Sequence, residues 1–283
     1  MQYKKLGLVI YFFSLFLNAF NQTKSDNFNF ISPVDFPIYL SGNFGEIRAE
    51  HFHSGIDIKT QGVEGKKIFA IENGHISRIK ISANGYGKTL YIEHPNGYTS
   101  VYAHLSRYNH VIDKIVKELQ YENKTFEINY FPKPNQIPVK KGQVIAFSGN
   151  TGRSFGPHLH FEIRETNYQV PVNPLIFNFE IKDNIAPQIN HVAIYPLGNN
   201  SKINHQHNKL IIPAIKSNGN YILQDTSLLL VEGNIGFGIE LYDYLNGSNN
   251  KCGIYTLSLF IDSLLVYNHK VDKVTFGETA YVK

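Results

Sequence analysis

Between Ser41 and Phe177 the chain is a succession of short apolar segments cut by Gly and Asn turns, a punctuation that suits strands and leaves little room for long helices. Ile68 to Ile71, Gly74 to Ile79 and Thr89 to His94 read as strands. Pro95-Asn96-Gly97 is a hairpin turn, and Tyr98 to His104 returns as the next strand. Val139 to Ala146 is a turn entering a strand, and His158 to Arg164 alternates in character. With 20 Phe, 18 Tyr and no Trp, the composition leans the same way. One segment breaks the pattern. Ile112, Ile115, Val116 and Leu119 recur at helical spacing, which predicts an amphipathic helix from Val111 to Tyr121 within an insertion of about residues 109–137. Two roles fit it: a lid or wall beside a groove, or an ornament packed on the edge of the β structure.

The organisation along the chain follows from composition shifts. Lys4 and Lys5 precede an apolar run from Leu6 to Phe20, and the chain then turns polar; residues 1–20 read as a signal peptide. The run is short for a membrane span, and membrane attachment follows only if it stays uncleaved. No Cys follows it, which argues against a lipoprotein. Residues 21–40 form an Asn-rich lead-in, residues 41–180 the first domain, and a boundary falls near Asp183 to Pro187. Beyond it, strands at sandwich-like spacing predict an immunoglobulin-like β-sandwich over 187–283, truncated at its end. The net charge of +4, without a long Lys/Arg run, excludes a nucleic-acid partner on charge grounds and suits an acidic polymer. The single Cys252 excludes a disulfide framework.

The chemistry concentrates in histidines. His53 and Asp57 are four residues apart with Gly55 between them, so a turn can aim both at one metal ion. His158 and His160 alternate on a strand and share a face, so one can ligate metal while the other handles a proton. His104 ends another strand and can converge on the same place. Two imidazoles and a carboxylate suit one zinc ion per chain, with a position left for water. Arg48 suits either a substrate carboxylate or a structural ion pair. His51, His75, His94, His205 and His207 read as structural or solvated.

Phe44-Gly45 with Arg48, His53-x-Gly55-x-Asp57, Tyr102-Ala103-His104-Leu105, Gly149-x-Thr151-Gly152 and His158-Leu159-His160-Phe161-Glu162 occur in one order, and together they resemble the lysostaphin-type zinc endopeptidases of bacterial cell walls. The resemblance spans residues 41–177. It implies an all-β, antiparallel groove domain of the lysostaphin/duplicated-hybrid-motif type. It also implies zinc held by His53, Asp57 and His160, with His104 and His158 in catalysis. The implied substrates are peptide bonds in peptidoglycan stems or cross-links, and the implied location is exported: periplasm, envelope or outside the cell. His158 is expected to take a proton from water and His104 to assist the oxyanion or the leaving amine, although the two roles can be exchanged. The competing reading is a non-catalytic relative that binds wall or activates another hydrolase. A wall or protein partner for the C-terminal region is a further expectation. The export signal and Asp57 argue against a phosphoryl carrier.

Overall fold

The computed structural model describes residues 29–49, 51–225 and 227–279. The signal peptide expected at 1–20 and the first residues of the lead-in lie outside them. No helix among the described residues is long and apolar enough to cross a membrane. The described chain forms two compact units: residues 29–184 with 245–253 and 271–279, and residues 185–244 with 254–270. Among the described residues the chain leaves the first unit after residue 184 and returns to it twice.

The first unit contains strands β1 (Leu40–Gly42), β2 (Ile56–Lys59), β3 (Lys67–Phe69), β4 (Gly74–Ile81), β5 (Lys88–Glu93), β6 (Tyr98–Leu105) and β7 (Arg107–Tyr108). Helix α1 (His110–Asn123) follows, then β8 (Ile128–Tyr130), β9 (Pro138–Val139), β10 (Val144–Phe147), β11 (His158–Glu165) and β12 (Val170–Val172). Among the described residues, nine strands join one antiparallel sheet whose main path runs β1-β2-β11-β6-β5-β4-β8. β3, β10 and β7 form a second, smaller sheet.

Side chains of the two sheets meet in one core. Ile58, Ile76, Tyr102 and Phe161 enter it from the large sheet, and Ile68, Ile145 and Tyr108 from the small one. Each such burial contributes about 1.5–3 kcal/mol. The lead-in belongs to this core too. Phe30, Val34 and Ile38 are buried in it, and the Ile31 and Phe69 N–H groups donate to the carbonyls of Ile71 and Pro33 at 3.1 and 2.9 Å. Its Asn-rich composition hid those apolar anchors.

Helix α1 starts where the Asn109 side chain accepts the Ile112 N–H at 3.0 Å and ends at Lys124 in the left-handed region. It buries Ile112 and Val116, one turn apart, and touches β7 and β8. β8 pairs with β4, at the opposite end of the sheet path from β2. The contacts are those of an element packed on the sheet edge.

The second unit holds β13 (Gln188–Ile203), β14 (Leu210–Ser217), β15 (Asn220–Leu223), β16 (Val231–Tyr242), β17 (Thr256–Ile261) and β18 (Leu264–Lys270). Its described strands make one four-stranded antiparallel sheet, in the order β15-β14-β13-β16, and one hairpin, β17-β18. This differs from the two facing sheets of the expected immunoglobulin-like sandwich. The reason lies in burial: every residue of β18 is exposed, so that strand supplies no inner face to pack.

Candidate metal centre

The site rests on three neighbouring strands, β2, β11 and β6. His160 on β11 lies opposite Asp57 on β2 and Ala103 on β6. That register brings the first motif and the H-x-H pair together. Gly55 permits the approach: a Cβ there would sit 2.4 Å from the Phe161 carbonyl oxygen, so any side chain would push the two strands apart.

His53, Asp57 and His160 are buried, and one donor atom of each converges on a common point. His53 Nε2 lies 3.0 Å from Asp57 Oδ1 and 3.1 Å from His160 Nδ1, and His160 Nδ1 lies 2.9 Å from Asp57 Oδ1. Tetrahedral zinc with bonds near 2.0 Å separates its ligand atoms by about 3.3 Å, close to this spacing. The outer nitrogens fix the tautomers. His53 Nδ1–H donates to the Asn43 carbonyl at 2.7 Å, and His160 Nε2–H donates to Glu162 Oε1 at 2.8 Å. Two imidazole lone pairs and a carboxylate oxygen therefore face one another, an arrangement that calls for a proton or a cation between them.

The electrostatics agree. Burial opposes both charges, yet hydrogen bonding reverses it. Asp57 is driven up by burial and brought well below the usual carboxylate range by hydrogen bonds from His160 and His53. His160 is driven down by burial and raised to about 9 by its bonds to Asp57 and Glu162. A metal cation at Nδ1 would displace that proton.

Glu162 anchors the far side. Its carboxylate is fully buried and accepts the Ser54 hydroxyl at 2.8 Å, the Tyr86 hydroxyl and Arg164 Nε at 2.5 Å as well as His160. Burial pushes Glu162 up, but Arg164 and His160 hold it far below the ordinary range. The sequence marks none of Ser54, Tyr86 and Arg164 as part of the site, and Glu162 stands in it only as the end of the H-x-H motif. A signal for two of the four was present: Glu162 and Arg164 continue the alternation of His158 and His160 on one strand face.

His104 and His158 stand beside the cluster with ring centroids 4.7 Å apart. His104 has φ +57°, a left-handed conformation rare for a residue with a side chain. Its Nδ1–H donates to the Thr151 carbonyl at 2.8 Å, leaving Nε2 as an acceptor. Burial, together with the neighbouring charge of His160, pushes its pKa down to about 4. His158 Nδ1–H donates to the Gly156 carbonyl at 2.8 Å, and its Nε2 lies 3.7 Å from Asp57 Oδ1. Both rings thus have Nδ1 engaged by a backbone carbonyl and Nε2 directed elsewhere.

Arg48 reaches Asp57 Oδ2 at 3.1 Å and Glu46 Oε2 at 2.9 Å. Its guanidinium is thus engaged by two carboxylates of the site. His51 is exposed, whereas His94 is buried and bonded to Asn73 and Ser100.

An antiparallel β domain with a buried His/Asp/His cluster and two more histidines beside it is a candidate metal centre with flanking proton-transfer groups. Residues 51–121 and 129–174 match the family model of peptidase family M23. The DD-carboxypeptidase/endopeptidase Mpg of Neisseria meningitidis serogroup B is 37% identical over 123 residues, 44% of this chain and 22% of that protein. The murein hydrolase activator NlpD of Escherichia coli is 34% identical over 127 residues, 45% of this chain and 26% of its own length. This chain thus spans about a quarter or less of these relatives. Among solved structures, the catalytic domain of lysostaphin from Staphylococcus simulans is 26% identical with a TM-score of 0.34, covering 48% of this chain and 86% of that one.

Proposed function

We propose that this protein is an exported zinc endopeptidase that hydrolyses peptide bonds in peptidoglycan stems or cross-links. The observation that carries the reading is the convergence of three buried donor atoms beside two histidines whose Nδ1 atoms are held by backbone carbonyls. His53 Nε2, Asp57 Oδ1 and His160 Nδ1 would hold the zinc. Zinc bound there supplies Lewis acidity that activates water and polarises a carbonyl. His158 Nε2 takes the proton of the attacking water, and the nearby Asp57 carboxylate stabilises the imidazolium. The His158 imidazolium then gives that proton to the leaving amine, while His104, held by Thr151 with Nε2 as an acceptor, accepts a hydrogen bond from an N–H of the amine. Glu162 keeps His160 in the tautomer that leaves Nδ1 available. Mpg is described as a DD-carboxypeptidase/endopeptidase and NlpD as a murein hydrolase activator, so one name supplies the peptidase activity and the other the murein. The apolar run expected as an export signal suits that location.

The test measures zinc content and muropeptide cleavage of the unaltered chain beside His160→Ala and His158→Ala. The expected result is one zinc and cleavage for the unaltered chain, loss of metal for His160→Ala, and retained metal without cleavage for His158→Ala. Zinc binding without cleavage of any wall preparation would mean a blocked groove or a different substrate, and absence of zinc would move the protein to the non-catalytic wall-binding or hydrolase-activator reading.

A further inference from the structure

The matched family segment ends at residue 174, yet the first unit also contains residues 245–253 and 271–279. Both returns converge on the turn of residues 42–48, which itself precedes the family match. This turn supports two of the three donors. The Asn43 carbonyl receives His53 Nδ1–H at 2.7 Å, and Arg48 holds Asp57 Oδ2 at 3.1 Å. Backbone bonds from Gly45 N–H to the His53 carbonyl and from His53 N–H to the Glu46 carbonyl, each 2.8 Å, lock the turn to the ligand strand.

The first return is clamped to the turn by a reciprocal amide pair. Asn43 Nδ2 donates to the Gly253 carbonyl at 2.7 Å, and Gly253 N–H donates to Asn43 Oδ1 at 3.0 Å. Asn43 is buried, and Leu245 and Cys252 anchor the same segment in the hydrophobic core. The second return brings Val271 over Gly45. A Cβ on Gly45 would lie 2.3 Å from Val271 Cγ1, so the valine occupies the space above that turn. The Asn173 N–H and side-chain amide donate to the Asp272 and Val271 carbonyls at 2.8 and 3.0 Å, fixing Val271 in place.

We infer that Asn43 is a positioning residue for the metal centre, held by the returning segment through Gly253, so that residues far beyond the peptidase motifs set the orientation of His53. The amide pair fixes the Asn43 peptide, the Asn43 carbonyl fixes which His53 nitrogen carries the proton, and the tautomer leaves Nε2 available for metal. This rests on the zinc reading above. Partners of metal-bound histidines typically change metal affinity about 10–100-fold when removed.

The experiment uses the full chain and its Asn43→Ala and Val271→Ala variants. Zinc dissociation constants are measured by chelator competition, and the His53 tautomer is read by nitrogen-15 NMR without metal. Asn43→Ala is expected to weaken zinc binding about tenfold or more and to mix the His53 tautomers. Val271→Ala is expected to change both in the same direction by less, and it carries the test if Asn43→Ala does not fold. Unaltered zinc affinity together with a single unaltered tautomer in a folded variant overturns the inference. If the unaltered chain holds no zinc, the peptidase reading falls, while the tautomer still decides whether the return positions His53.

Discussion

The two units bury their apolar surface very differently. In the first, a continuous core runs from Phe30 through both sheets to Phe179, with Ile58, Tyr102 and Phe161 fully enclosed. In the second, the buried cluster comprises Ile194, Ile203 and Ile212, and the hairpin leaves Leu264, Leu265, Val266 and Tyr267 exposed. The polar groups divide in the same way. The first unit encloses the Glu162–Arg164 pair and the histidine cluster, whereas the second pairs His191 with Glu240 and His205 with Glu232 on its surface. A dense core is what allows charged groups to be held out of water at fixed spacing. A thin sheet cannot do this, and its surface pairs contribute little.

The sharpest way to break this contrast is Arg164→Ala. It strands the buried Glu162 carboxylate and also removes cation–π contacts with Tyr91 and Phe276 at 5.4 and 4.8 Å. A loss of about 3–5 kcal/mol is expected in denaturant unfolding of the first unit. A loss within surface-pair range would mean the network is solvated. Ile194→Ala should cost about 2 kcal/mol, the low end for a buried isoleucine, because so thin a cluster can relax around the gap. A cost of 4 kcal/mol or more by the same assay would show a core deeper than the burial indicates.

pH separates the units further. Burial lowers the pKa of His94 in the first unit, where Asn73 and Ser100 satisfy the neutral ring. The unfolded chain then takes up a proton on this ring that the folded unit resists. The stabilisation is full above about pH 6.5 and is lost as pH falls through the lower folded value. Thermal unfolding of the full chain between pH 7 and 5 should show the decline, and His94→Gln should lessen it, leaving the share that His104 contributes in the same direction. The smallest effect is expected at Leu265→Ala on the exposed hairpin, within about 0.5 kcal/mol by the same unfolding assay. A larger loss would show that this apolar strand is covered in the protein as it works.

Much of the first domain was legible beforehand because its signals are local. Turn residues mark the strands, four-residue spacing marks α1, and alternation aligns His158 with His160, Glu162 and Arg164. The metal ligands were nominated by likeness to a family, and their convergence depends on a register between β2 and β11 that no local pattern contains. The burial of the lead-in, the left-handed turn at His104, the Tyr86 hydroxyl on Glu162 and the clamp of Gly253 on Asn43 belong to tertiary structure alone. The sequence by itself determined which residues could ligate, cap, turn or pack, since those capacities reside in side chains and short-range backbone preference. Only the folded chain decided which ring nitrogen faces the centre and what holds it there. That choice depends on hydrogen-bond partners separated by as many as 210 positions and brought together by burial of a common core.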